Sequence, residues 1–177
     1  MEGKLVRLRA LELDDAALIY MWENQPELWR TSIAPGPYSL ESIRLYVQNA
    51  MKHNVMAMQQ VRFIIESLEE ARPVGMIDLF DIDVLNQKAA VGIMVDAGFR
   101  KKGYAGDALR LIISYGFEYL YLHQLYADVA ISNEASLRLF RSAGFEVSGR
   151  RKDWIKTESG FEDALFMQLL KTGAVTI

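Results

Sequence analysis

The segment Val95–Gly103, reading V-D-A-G-F-R-K-K-G, constrains this chain more than any other stretch. An apolar run, Ala90–Val95, enters a short loop dense in backbone N–H donors and basic side chains. The loop opens an amphipathic run in which Leu109, Ile112, Ile113, Phe117 and Leu120 recur at helical spacing. Strand, Gly-containing loop and helix N-terminus in that order make an anion site. The first-turn N–H groups have no helical acceptor, and the helix dipole adds roughly half a positive charge. Arg100, Lys101 and Lys102 carry the same sign, so the expected occupant is a phosphate.

Neither the mononucleotide loop G-x-x-x-x-G-K-(S or T) nor the dinucleotide fingerprint G-x-G-x-x-G is present. What stands here is R-x-x-G-x-A, from Arg100 to Ala105. The rest of the chain narrows the classes further. With 177 residues, 51% of them hydrophobic and 24% charged, the expectation is a single globular domain spanning 1–177. A net charge of −3 gives no global attraction to nucleic acid. The short basic run Arg150-Arg151-Lys152 reads as a solvated strand end. Cysteine is absent, which removes disulfides, thiolate metal sites and a Cys nucleophile. His53 and His123 are the two histidines, far apart, so neither a metal site nor a His-based triad is expected. No signal peptide and no membrane-spanning run are read from the sequence, and a cytoplasmic location is expected.

The order of elements follows from periodicity and punctuation. Lys4–Arg9 alternates as a strand; Asp14-Asp15 caps a helix through Ala16, Leu18, Ile19 and Trp22. Pro26 and Ala34-Pro35-Gly36-Pro37 mark a loop, and Ser39 with Ser42 precedes a helix to about Lys52. His53–Gln60 reads as loop or frayed helix. Val61–Ser67 and Val74–Phe80 are strands joined by a hairpin, and Asn86-Gln87-Lys88 turns into the strand Ala89–Val95. A helix over Gly103–Tyr121 and a strand over Gln124–Val129 follow. Asn133-Glu134 starts another helix, which Gly144 ends. Glu146–Lys156 and Phe161–Leu170 pair across Glu158-Ser159-Gly160. The fold class is α/β (α+β), a mixed sheet of about seven strands with helices on both faces and one parallel crossover.

The strand Val91-Gly92-Ile93-Met94-Val95 with R-x-x-G-x-A behind it resembles the acyl-CoA signature (Q or R)-x-x-G-x-(G or A) of the GNAT N-acetyltransferases. A second family block, N-x-x-(S or A)-x-x-(L or I)-(Y or F)-x-x-x-G-F, is matched by Asn133, Ser136, Leu139, Phe140, Gly144 and Phe145. The element order is also the family's, and the resemblance covers nearly the whole chain, most nearly in the ribosomal-protein and spermidine acetyltransferase branches.

The resemblance implies that acetyl-CoA is the co-substrate and an amine the acceptor. The pantetheine arm would lie along Ile93-Met94-Val95, with a backbone N–H near Met94–Val95 as oxyanion donor. The pyrophosphate would rest on the N–H groups of Arg100, Lys101, Lys102, Gly103, Tyr104, Ala105 and Gly106. The family often has Gly where Lys101 stands. Asn133 would hydrogen-bond the pantetheine, while Ser136, Phe140 and Arg141 would line the thiol end or the nucleotide. Each has a plainer reading: Asn133 as a helix cap, Ser136 as a surface residue, Phe140 as core.

The chain also departs from the family pattern. Phe140 stands where spermidine enzymes carry an acidic Tyr, and Ala90 where they carry Glu. Asp78 is the remaining candidate, because it interrupts an apolar strand face (Val74, Met76, Phe80). It would bind an ammonium and, through water, take its proton; the plainer alternative is an edge-strand carboxylate in solvent. Ser136 could replace the missing acid by a water relay. The acceptor is thus expected to be a primary amine, either a polyamine-like small molecule or a protein amino group, with Trp22, Trp29, Tyr38 and Tyr46 as candidate walls. Two other readings stay open: a catalytically silent acyl-CoA sensor, and a nucleotide-phosphate domain unrelated to CoA. Trp154, Phe161 and Phe166 would allow a homodimer or higher oligomer.

Overall fold

The computed structural model describes residues 1–26, 36–53 and 55–171. β1 (Val6–Arg9) leads through a 3-10 turn (Leu13–Asp15) into α1 (Ala16–Glu23). Next come α2 (Leu40–Lys52) and a single turn, α3 (Val55–Met58). β2 (Val61–Ser67), β3 (Arg72–Asp83) and β4 (Lys88–Val95) form a meander. After it come α4 (Tyr104–Ser114), β5 (Gln124–Ala130), α5 (Glu134–Ser142), β6 (Glu146–Thr157) and β7 (Gly160–Leu170). The strands make one seven-stranded sheet, in the order β1-β2-β3-β4-β5-β7-β6. Every neighbouring pair is antiparallel except β4 and β5, as the crossover through α4 requires.

Adjacent residues on the central strands point to opposite faces, so the near-continuous apolar runs feed two cores. Ile65, Ile77, Leu79, Val91 and Leu125 pack under α4 and α5 against Leu109, Ile112, Leu137 and Phe140. Ile64 and Met76 pack on the other face against Ile19 and Trp22 of α1 and Ile43 and Val47 of α2. Each fully buried Ile or Leu contributes about 1.5–3 kcal/mol by leaving water. Ser39 caps α2, its Oγ accepting the Ser42 N–H at 3.0 Å.

Four expectations are corrected. β1 begins at Val6 rather than Lys4, because the N–H groups of Leu5 and Val6 donate to the Asp107 carboxylate at 2.7 and 3.1 Å. Val74 does not share a face with Met76 and Phe80: a register shift opposite Ile65/Glu66 turns it into the α4-side core. The helix expected to Tyr121 is α-helical to Ser114 and widens into a π-turn at Tyr115–Tyr119. Asp15 is not a simple cap; it accepts the Glu12 N–H and a two-pronged bond from Arg9.

Candidate active site

β4 and β5 pair only over Lys88–Ala90 and Gln124–Tyr126, and from Val91 onward they part. Both continue, β4 held by β3 to Val95 and β5 held by β7 to Ala130. The result is a cleft between parallel strands, with backbone groups of β4 facing it. Antiparallel pairing alternates which residues point at the neighbour, and the Asp96 N–H reaches Val74 O at 2.9 Å. The Met94 backbone therefore faces β3, while the N–H and C=O of Ile93 and Val95 face the cleft. Arg100 Nε donates to Val95 O at 3.0 Å, which leaves the Val95 N–H directed into the opening. Met94 offers its side chain to the α1/α2 core instead of backbone groups to a ligand.

At the cleft's end the chain turns into α4. Lys101 adopts φ +64° and Gly103 φ +85°, a left-handed pair that aims successive N–H groups the same way. The position where Gly would be usual in the resemblance is thus one where Gly is sterically preferred, and Lys101 occupies it at a cost. A Cβ on Gly103 would also lie 3.0 Å from Leu5 Cδ1. Asp107 is the first α4 residue whose N–H finds a helical acceptor, Gly103 O at 3.1 Å. The N–H groups of Tyr104, Ala105 and Gly106 precede it and remain available to an anion. The side chains behave differently from the backbone. Tyr104 is buried, its hydroxyl accepting from Ser67 Oγ at 3.2 Å. Lys102 is drawn to Glu70 at 2.8 Å, whereas Arg100 and Lys101 are exposed and add their charge to that of the backbone at the turn.

Asp107, which sequence reasoning passed over, fixes this turn to β1. It is 2% exposed. Burial pushes its carboxyl up, but the Leu5 and Val6 N–H groups and Arg110 outweigh that and hold it below its ordinary value. Its signal in sequence is an acidic residue at an inward helical position between Tyr104 and Ala108.

α5 brings Asn133, Ser136 and Phe140 to the same side of the sheet as α4. Asn133 caps the helix, Oδ1 accepting the Ser136 N–H at 3.1 Å. Both side chains are half-buried. Phe140 lies in the core, edge-on to Phe145 with ring centroids 5.0 Å apart. Its direct role is packing, and it has no proton to give.

The opposite face of the sheet is charged. β3 lies between β2 and β4, so Asp78 is no edge-strand residue. It is buried, and its Oδ2 takes every hydrogen bond the carboxylate makes among the described residues. These come from Gln60 Nε2 at 3.1 Å, Arg62 Nε at 3.1 Å and Arg62 Nη2 at 2.7 Å. Oδ1 is turned toward Gly92, the register partner of Asp78: a Cβ there would lie 3.7 Å from it. The Phe80 ring closes in there as well, its Cε1 3.3 Å from where that Cβ would stand, so the carboxylate oxygen lies beside an aromatic edge at the level where the strands part. Arg62 also binds Glu23 at 2.7 Å and lies over the Tyr46 ring at 5.3 Å. Burial opposes the Arg62 charge, but Asp78, Tyr46 and Glu23 outweigh it and hold the guanidinium above its ordinary value. Burial pushes the Tyr46 phenol up to about 12. The Arg62 cluster has no local sequence signal, since its members come from α1, α2, β2 and β3.

Of the proposed aromatic walls, Trp22 is core, donating Nε1–H to Asp96 at 2.9 Å. Tyr38 and Tyr46 are half-buried beside it, and Trp29 lies outside the described residues. Phe166, offered above as an oligomer contact, is half-buried against Tyr126. Arg150 and Arg151 are not a solvated strand end either: they sit within β6, paired with Asp163 and Asp128.

Comparison with known proteins agrees with this fold. The acetyltransferase (GNAT) domain family matches residues 6–146, a span that contains both sequence blocks. The spermidine N(1)-acetyltransferase of Escherichia coli K12 is 30% identical over 146 residues, covering 81% of this chain and 74% of that protein. The crystal structure of spermidine N-acetyltransferase from Vibrio cholerae in complex with CoA and spermine superposes with a TM-score of 0.84 at 23% identity, over 93% of this chain and 95% of that one. A dodecameric structure of the Vibrio cholerae spermidine enzyme in an intermediate state gives 0.77 at 24% identity, over 93% of each chain. The family match and the relatives displace the nucleotide-phosphate reading and the silent sensor. This chain belongs to the GNAT acetyltransferase family and is an N-acetyltransferase that takes its acetyl group from acetyl-CoA.

Proposed function

We propose that this chain acetylates a cationic primary amine, a polyamine-like small molecule or a protein amino group, which binds on the α1/α2 face of the sheet beside Asp78. The observation that carries the reading is Asp78 Oδ1, turned over Gly92 next to the parted strands. α4 and α5 fill the other face with side chains, so an acceptor reaches the cleft from the Asp78 side.

The residues fit acetyl-CoA by their own geometry. The Ile93 N–H and C=O would pair with the pantetheine amides, and the N–H groups from Arg100 to Gly106 would take the pyrophosphate. Asn133, capping α5, would offer its amide N–H to the pantetheine. Bound acetyl-CoA supplies a thioester carbonyl open to direct attack by an uncharged amine. Asp78 Oδ1 would hold the incoming ammonium and pass its proton to water, while Oδ2 stays fixed by Arg62 and Gln60. The Val95 N–H, aimed into the cleft, would stabilise negative charge on the carbonyl oxygen. The Ser136 hydroxyl would hand a proton by way of water to the departing thiolate, in place of the phenol that Phe140 lacks.

The reading takes 1–177 as one functional domain in the cytoplasm. No helix among the described residues is long and apolar enough to cross a membrane. It also includes a homo-oligomer, supported by the assembly of the Vibrio cholerae enzyme and by Phe161, 62% exposed on the hairpin. Calorimetric titration with acetyl-CoA, with CoA and ATP as controls, followed by CoA release across an amine panel, tests the chemistry. Asp78→Asn is expected to raise KM for the amine about tenfold or more while acetyl-CoA affinity holds. An unchanged KM removes Asp78 from the acceptor site.

A further inference from the structure

Across the cleft from Asp78 stands a second carboxylate on the same face. The last β4–β5 pair is Ala90 with Tyr126, so two residues on along each strand Gly92 and Asp128 stand level with each other. Their side chains project to the same side as Ala90, Tyr126 and Asp78. Asp128 is the register partner of Phe166 on β7, whose ring lies 5.4 Å from that of Tyr126. The far bank of the cleft therefore has a carboxylate beside aromatic faces, the composition that binds an ammonium group. Here it already holds a cation. Arg151 Nε donates to Asp128 Oδ1 at 2.7 Å, and its guanidinium carbon lies 4.7 Å from the Trp154 ring and 4.9 Å from the Phe166 ring.

This arrangement differs from the Arg62–Asp78 pair on the near bank. Arg62 and Asp78 are 14% and 10% exposed and locked from several sides, whereas Arg151 and Asp128 are 38% and 29% exposed. A guanidinium on an accessible strand can swing away; a buried one with three partners cannot without leaving charges unpaired.

We propose that Asp128, Trp154 and Phe166 form a second ammonium subsite of the acceptor cleft, and that Arg151 is its built-in occupant and the specificity-determining residue. The inference rests on the acceptor entering beside Asp78. An amine with a single positive centre needs only the near bank. A linear di- or triamine long enough to span the cleft must expel Arg151 from Asp128 and from two rings before its far ammonium can bind. The wild-type chain thus discriminates against long polyamines relative to short monoamines, and the discrimination resides in one side chain.

The test compares Arg151→Gln with the wild type, each purified as the full chain and checked for an unchanged far-UV spectrum and acetyl-CoA affinity. The kcat/KM ratio for a linear triamine over a butylamine-sized monoamine is expected to rise about tenfold in Arg151→Gln. Adding Asp128→Asn to it is expected to return the ratio to the wild-type value. A ratio that stays level or falls in Arg151→Gln overturns the proposal. A second readout needs no turnover. Triamine without acetyl-CoA is expected to change tryptophan fluorescence saturably in Arg151→Gln, weakly in wild type, and not in Arg151→Gln carrying Trp154→Phe. Tighter triamine binding by the wild type than by Arg151→Gln also overturns it. Absence of acetyl transfer to any amine would instead count against the acetyl-acceptor reading, which the fluorescence measurement does not use.

Discussion

The two faces of this sheet solve different problems with the same strands. On the α4/α5 face the central strands present Ile, Leu and Val to two helices, and the buried Asp107 carboxylate is held by the N–H groups of Leu5 and Val6 and by Arg110. On the α1/α2 face, two guanidinium–carboxylate pairs, Arg62 with Asp78 and Arg151 with Asp128, flank the cleft. A sheet that must receive a polar reactant keeps one face dry for stability and charges the other. Gly92, where the strands part, makes room for the Phe80 ring beside Asp78. The charged face is itself uneven: its near bank is buried and rigid, its far bank accessible.

That contrast has measurable edges. Arg62→Ala should destabilise the fold by about 3–5 kcal/mol, because the buried Asp78 carboxylate would lose its guanidinium. Arg151→Ala, on the accessible bank, should cost no more than about 1 kcal/mol. Urea unfolding of the two variants decides it, and equal losses would erase the distinction between banks.

Gly103→Val should weaken acetyl-CoA binding about a hundredfold while most of the fold survives, since a branched side chain at φ +85° both strains the turn and crowds its N–H groups. Gly103→Asp should act in the same direction by adding negative charge to the phosphate site. Titration calorimetry reads both, and an unchanged dissociation constant would move the cofactor elsewhere.

Asp107 gives the dry face a pH dependence. Its carboxyl is held below the ordinary value in the folded chain, so its stabilisation is complete above about pH 4 and is lost as pH falls through the folded value. Asp107→Asn should flatten the acid limb of the stability curve and lower the plateau by about 1.5–3 kcal/mol, the worth of hydrogen bonds to a charge. Unfolding free energy against pH for the two proteins makes the comparison; parallel curves would show that another carboxylate sets the limb.

The smallest effect is expected at Lys101. Lys101→Gly relieves a left-handed residue at φ +64° but adds freedom to the unfolded chain, for a net gain under about 1 kcal/mol. A thermal midpoint that falls instead would mean that the Lys101 side chain stabilises the turn.

How much of this was legible in the sequence depends on distance along the chain. The turn from β4 into α4, the β4–α4–β5 crossover, the Asn133 cap and the Gly144 stop are local, and local pattern places each within a few residues. The failures were of one kind. Lys4 and Leu5 read as strand by alternation, yet their fate was set by Asp107, a hundred positions away. Val74 read as a face-mate of Met76, until a register shift against β2 turned it over. Asp78 was visible as an anomaly on an apolar strand, but its ties to Arg62 and Gln60 were not. Arg151 read as part of a solvated basic run because its partners, Asp128 and Phe166, lie on other strands.

By itself the sequence determined the periodicities, the caps and the left-handed turn into α4, because those depend on backbone geometry within one or two helical turns. Only the tertiary structure decided where β4 and β5 part, which backbone groups face the opening, and which charges meet across it. Those depend on strand order and register, which bring together residues dozens of positions apart, and no local pattern encodes such pairings.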